Sequence, residues 1–118
     1  MTKTTVLVVE DEFLISQFVS QELAALDYDV LTASNADEAI AILESRDDIH
    51  TVFTDINMPG SMDGLRLAAA VRVRWPPVKI VITTGKQRPP EAAMPDGSLF
   101  LAKPYASHDI VRTMRQLD

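Results

Sequence analysis

The sequence has no cysteine and only two histidines in 118 residues. Without thiols there is no disulfide framework, which agrees with a cytoplasmic setting. Basic residues are scarce too: 11 Lys and Arg stand against 17 Asp and Glu, for a formal net charge of −6. Nucleic-acid binding draws most of its affinity from Lys and Arg that neutralise phosphate. The four arginines from Arg66 to Arg88 are scattered, so neither direct nucleic-acid binding nor docking on an anionic membrane is expected. No apolar run approaches the roughly 20 residues that span a bilayer. The opening MTKTTVLVVE has one lysine and a short apolar run that meets Glu10. It is too short and too soon charged for a secretory signal. Internal repeats, linkers and low-complexity segments are missing as well. The chain therefore reads as one domain, residues 1–118, large enough to bury roughly two thirds of its unfolded surface.

What is present is an alternation of short apolar runs and amphipathic stretches. Thr5–Val9 (TVLVV) is β-branched and apolar throughout, the pattern of a buried strand. From Phe13 to Leu26, Ile15, Val19, Leu23 and Leu26 recur at helical spacing, and Asp27 stands where a left-handed residue would end the helix. Tyr28–Ala33 is a second strand. Ser34 or Asn35 caps a helix over Ala36–Ser45, with Glu38 near the capping-box position. Thr51–Thr54 is a third strand, and a loop over Asn57–Gly64 carries Pro59, Gly60 and Gly64. A third helix, Leu65–Arg74, stops at Trp75-Pro76-Pro77. Val78–Thr83 and Ser98–Ala102 are the fourth and fifth strands, and the last helix runs from about Ser107 to Leu117. Between those two strands, Pro89, Pro90, Pro95 and Gly97 leave a fourth helix shortened or irregular. Such alternation implies right-handed βαβ units and a parallel sheet covered on both faces.

In such a sheet, ligands bind beyond the carboxyl ends of the strands. The first strand ends in Glu10-Asp11-Glu12, the third in Asp55, the fourth in Thr83-Thr84-Gly85 and the fifth in Lys103-Pro104. All four ends lie on one edge. Carboxylates gathered there repel one another unless a cation joins them. An oxygen-only donor set suits Mg²⁺, while the lack of Cys and the remoteness of His50 and His108 argue against zinc. A hydroxyl and an ammonium beside the metal would cage a phosphoryl group, with Asp55 as a carboxylate nucleophile.

The motifs VLVVEDE (Val6–Glu12), DINMPGSMDG (Asp55–Gly64), ITTG (Ile82–Gly85) and LAKPY (Leu101–Tyr105) together resemble the response-regulator receiver domains of two-component signalling. The resemblance runs over essentially the whole chain. It implies a flavodoxin-like, doubly wound α/β fold with five parallel strands in order 2-1-3-4-5. It also implies a stand-alone receiver acting in the cytoplasm as a phosphorylation switch rather than as an enzyme. A sensor histidine kinase or phosphotransfer protein would donate the phosphoryl group, and a downstream protein target would read the result. On this resemblance Asp55 is the phospho-acceptor, and Asp11, Asp55, Glu10 through a water and the Asn57 main-chain carbonyl hold Mg²⁺. Thr84 bonds a phosphoryl oxygen, and Lys103 pairs with Asp55 and then with the phosphate. Phe100 occupies the aromatic position that changes rotamer with Thr84, and Pro104 the position behind a cis Lys-Pro bond. Asn57 and Lys86 sit where family side chains tune hydrolysis of the acyl phosphate. The proline-rich stretch departs from the family at its usual output and dimerisation face, where a homodimer would form. The loop PGSMDG is one residue longer than the commonest spacing.

Blander readings compete at single positions. Asp55 alone would pass for a strand-end turn former, and Lys103 for a snorkelling surface residue. Glu12 reads as an acid complementing a helix dipole rather than as a third ligand, and Thr83 is the competing hydroxyl to Thr84. Phe13 falls outside the inward face of its helix, where it could dock a partner helix or simply be one scattered apolar residue. Met58, Met62 and Met94 read as loop and core packing. Two other functions fit parts of the pattern: a Mg²⁺-dependent phosphohydrolase, for which so short a chain offers no substrate pocket, and a pseudo-receiver that only binds a partner.

Overall fold

A computed structural model describes residues 3–117. Five strands, β1 (Thr5–Val9), β2 (Asp29–Ala33), β3 (Ile49–Asp55), β4 (Lys79–Thr84) and β5 (Leu99–Ala102), alternate with four α-helices. These are α1 (Phe13–Ala25), α2 (Ala36–Ser45), α3 (Gly64–Arg74) and α4 (Ser107–Leu117). All four strand pairs are parallel and the order is β2-β1-β3-β4-β5, as the resemblance implies.

The central strands are buried on both faces, so their side chains alternate between two cores. Leu7, Val9, Val52, Ile80 and Ile82 pack with Ala39 and Leu43 of α2 and Leu67, Ala68 and Val71 of α3. Val6, Val8, Phe53 and Val81 pack on the other face with Val19 and Leu23 of α1 and Ile110 and Met114 of α4. That explains why β1 is apolar at every position, where a strand with one wet face would alternate.

Local chemistry sets the helix ends. Asn35 is the cap of α2, its Oδ1 accepting from the Glu38 N–H at 2.8 Å. Glu38 reaches back to Ser34 instead, accepting from its N–H at 2.8 Å and its hydroxyl at 2.9 Å. Asp63 caps α3 by accepting from the Arg66 N–H at 2.9 Å. Asp27 takes φ 73°, the left-handed conformation expected at the end of α1.

The structure corrects several boundaries. Leu26 lies beyond α1 and is 37% exposed, so the inward face of that helix is Ser16, Val19 and Leu23, with Ile15 half-buried. β3 is longer than its apolar run at both ends, because Ile49 pairs with Thr5 and Asp55 with Thr83, with His50 at the register shift between Ile49 and Thr51. β4 is shifted by one residue and includes Thr84. Between β4 and β5 the only helical structure among the described residues is one 3₁₀ turn, Glu91–Ala93. The prolines exclude a regular helix there, as expected.

Candidate functional site

β1 and β3 run side by side, with Val9 paired to Thr54. The residues just past β1 therefore meet the last residue of β3. Glu10, Asp11 and Asp55 each bring a carboxylate oxygen within 4.8 Å of the other two. Glu10 and Asp55 are buried, Asp11 is exposed. Lys103, just past β5, crosses β4 to join them. Its ammonium stands 2.6 Å from Glu10 Oε1 and 3.3 Å from Asp55 Oδ2. The shorter bond goes to Glu10, so the pairing expected with Asp55 is shared, with Glu10 as the closer partner. The Lys103–Pro104 peptide bond is cis.

Burial pushes the Glu10 carboxyl above its ordinary value, and the Asp55 charge adds to that. The Lys103 ammonium and the Glu12 N–H, at 3.2 Å from Glu10 Oε2, oppose it. Burial would lower the Lys103 pKa, but the hydrogen bond to Glu10 and the charges of Asp55 and Glu10 outweigh it and hold the ammonium charged. Tyr105 is pushed up by burial between Phe18 and Phe53 and by the Glu10 and Asp55 charges, which keeps its phenol protonated.

Three carboxylates and one ammonium leave the ionised cluster at a formal charge of −2, the amount one divalent cation neutralises. Asp55 Oδ2 faces Lys103, but Oδ1 is buried with no partner, an arrangement costly for a carboxylate unless something else occupies that side. The donor set is all oxygen, and neither histidine joins it: His50 Nδ1 lies 2.7 Å from the Thr51 hydroxyl, and His108 is a surface residue 3.4 Å from Asp109. These residues fit a hard cation such as Mg²⁺ and do not fit zinc.

Thr84 is buried at the end of β4, and Lys103 N–H donates to its carbonyl at 2.9 Å. Its hydroxyl oxygen accepts from Asn57 Nδ2 at 2.9 Å and from Lys86 N–H at 3.1 Å. Thr83, opposite Asp55 in the β3–β4 register, is buried. Its carbonyl accepts from Ile56 N–H at 2.9 Å, which anchors the loop after Asp55. Phe100 pairs with Ile82 and packs half-buried on the α2–α3 core, with the Arg88 guanidinium 4.9 Å from its ring centroid. Glu12 is the N-cap residue of α1 but makes no side-chain cap bond.

Sequence reasoning missed one contact and one residue. The contact is that of the Asn57 side chain, expected to tune hydrolysis, with Thr84; it spans 27 positions and has no periodic signature. The residue is Gly64, read only as loop punctuation. It opens α3, donates its N–H to Ile56 O at 2.9 Å, and lies so close to β3 that a Cβ there would sit 1.9 Å from the Asp55 carbonyl oxygen. Only glycine permits that approach.

Beside the cluster, a cleft of about 440 Å³ opens between Leu14, Ile15 and Phe18 of α1 and Pro104 and Tyr105, with Lys103 and Gly85 at its inner edge. Leu14 in its wall is 78% exposed; Phe13, 74% exposed, lies instead beside Asp11, Thr32 and Ser34. No helix among the described residues is long and apolar enough to cross a membrane.

Comparison with known proteins agrees with this geometry. The family model of the response regulator receiver domain matches residues 6–115. The positive alginate biosynthesis regulatory protein of Pseudomonas aeruginosa is 36% identical over 116 residues, covering 94% of this chain. The chain spans 46% of that relative's length, so the match concerns one part of a longer regulator. The Vibrio cholerae chemotaxis protein CheY4 superposes with a TM-score of 0.87 at 27% identity, over 99% of this chain and all of that one (100%). The Thermotoga maritima response regulator TrrA, solved in complex with Mg²⁺-BeF, gives a TM-score of 0.85 at 28% identity, over 99% of this chain and 100% of that one.

Proposed function

The chain belongs to the family of response regulator receiver domains, and from that premise we propose that it is a phosphorylation switch whose Asp55 accepts a phosphoryl group beside a bound Mg²⁺. The observation that carries this reading is the state of Asp55. Its buried carboxylate has one oxygen on the Lys103 ammonium and the other without a partner, within reach of two further carboxylates. Mg²⁺-BeF in the TrrA complex supports the same cation and an anion of phosphoryl type for this chain.

Asp55 would attack the phosphorus of a phosphohistidine on a sensor kinase or phosphotransfer protein. A P–O bond forms to the carboxylate, the P–N bond breaks, and the imidazole nitrogen leaves with the electron pair. Glu10, Asp11, Asp55 and the Asn57 carbonyl would hold the cation, which neutralises charge on the phosphoryl oxygens when bound. Lys103, partly buried and charged beside Asp55, holds positive charge where the equatorial oxygens arrive. Thr84 offers a hydroxyl at the neighbouring strand end. Water later cleaves the acyl phosphate and returns the carboxylate and inorganic phosphate. We class the protein as a cytoplasmic signalling acceptor rather than an enzyme, with its output carried to a protein target.

The apolar cleft beside Lys103 suits a helix of the phosphoryl donor, whose histidine must reach Asp55. Leu14→Ala, in the α1 wall of the cleft, should then slow transfer from a donor protein and leave phosphorylation by acetyl phosphate unchanged; equal transfer rates would rule the cleft out as the docking site. The function itself is tested by intact mass after incubation with acetyl phosphate and Mg²⁺. One phosphoryl adduct is expected that needs Mg²⁺ and is absent from Asp55→Asn. No adduct and no Mg²⁺-dependent beryllofluoride binding would favour a domain that only binds a partner; no adduct but such binding would mean a site that takes phosphate only from its own kinase.

A further inference from the structure

We infer that Asn57 is a positioning residue, whose side-chain amide fixes the Thr84 hydroxyl so that its proton is left to serve the group formed on Asp55. The inference rests on the proposed phosphoryl acceptance and adds to it a residue acting through another.

A threonine hydroxyl has two acceptor lone pairs and one proton. In Thr84 both acceptor sites are filled by N–H donors that come from different directions. Asn57 Nδ2 donates at 2.9 Å from the loop after β3, and Lys86 N–H donates at 3.1 Å from the turn after β4. The proton is the remaining valence, and among the described residues no hydrogen bond takes it up. Two donors aimed at one buried oxygen thus hold the O–H as a donor, the role an anionic phosphoryl oxygen requires. Lys86 contributes a backbone group, which substitution does not remove. Asn57 contributes a side chain from an exposed position, so it is the adjustable half of the arrangement. It also stands two residues after Asp55, which ties the hydroxyl to the acceptor strand rather than only to its own.

A double-mutant cycle tests this with acetyl phosphate as donor and Mg²⁺ present. Asn57→Ala should slow phosphorylation about threefold to tenfold, the range of one oriented hydrogen bond. In a Thr84→Ser background, which keeps the hydroxyl, the same substitution should slow it by a similar factor. In a Thr84→Ala background it should change the rate by less than about 1.5-fold, since there is no hydroxyl left to orient. A second readout needs neither cation nor phosphate: the Asn57 side-chain amide resonances should shift and exchange faster in Thr84→Ala. Equal slowing in all backgrounds would overturn the inference, as would faster phosphorylation by Asn57→Ala, because the amide would then be drawing the Thr84 proton to itself. If the unsubstituted protein takes up no phosphoryl group, the proposed function fails. If it does and the cycle is additive, only the role of Asn57 fails.

Discussion

Lys103 is the residue on which the site's electrostatics turn. It is the one ammonium between two buried carboxylates, and its removal leaves Glu10 and Asp55 facing each other without compensation. Breaking a buried ion pair on one side costs about 3 kcal/mol, so Lys103→Met should lower the urea midpoint markedly in the absence of divalent cation. Mg²⁺ should recover more of that loss than it adds to the unsubstituted protein, because it supplies the missing positive charge. An unchanged midpoint would mean that the pair does not carry the charge balance argued for it. Gly64 acts sterically. A methyl group there cannot coexist with the Asp55 carbonyl at 1.9 Å, so α3 or the end of β3 must move. Gly64→Ala should cost roughly 1–3 kcal/mol by overpacking and reduce phosphorylation of Asp55 more than a surface substitution of equal thermodynamic cost. Neither fact was legible beforehand. The order of residues shows that Lys103 arrives at the carboxylates, but not which of two it meets at 2.6 Å. A glycine in a loop looks the same whether it turns the chain or lets two backbones touch.

At the scale of elements, sequence was most informative where one interaction sets the boundary. β1, α2 and α4 fall where the apolar run, the Asn35 cap and the amphipathic pattern put them. It was least informative where a neighbour extends an element. Ile49 joins β3 because β1 offers it a ladder partner, Thr5, and His50 is carried along at the register shift between Ile49 and Thr51. The helix starts also make an acid-sensitive set. Glu38 is held below its ordinary value by the Ser34 N–H and hydroxyl, and Asp109 by the Ala106 N–H. A depressed folded pKa means these groups stabilise α2 and α4 above the unfolded carboxylate range, and the contribution is lost as pH falls through the folded values. Helicity followed by circular dichroism should therefore decline on acidification below about pH 4, and Asp109→Asn should flatten part of that decline. A pH-independent signal down to pH 2 would show that the caps contribute nothing.

At the scale of the whole molecule, the two-sided sheet brings residues from positions 10 to 103 to one edge of a compact body with a radius of gyration of 12.8 Å. The alternation of strands and helices made this architecture readable, because parallel strands must send all their carboxyl ends the same way. The irregular path from β4 to β5 was readable only as an absence of helix; its 3₁₀ turn and the packing of Arg88 on Phe100 were not. A cation that binds only the assembled edge must stabilise the whole fold. At a concentration about 100 times its dissociation constant, Mg²⁺ should add about 2.7 kcal/mol to unfolding. Asp11→Asn should weaken that gain, and a melting temperature insensitive to Mg²⁺ would count against a cation site.

In the function proposed above, Asp55, among all the carboxylates at this edge, takes the phosphoryl group. Borohydride reduces an aspartyl phosphate to homoserine, so the protein treated with acetyl phosphate and Mg²⁺, reduced and sequenced by tandem mass spectrometry, reports the acceptor directly. Homoserine is expected at position 55 and nowhere else. Homoserine at Asp11, or an unmodified chain despite Mg²⁺ binding, would contradict it.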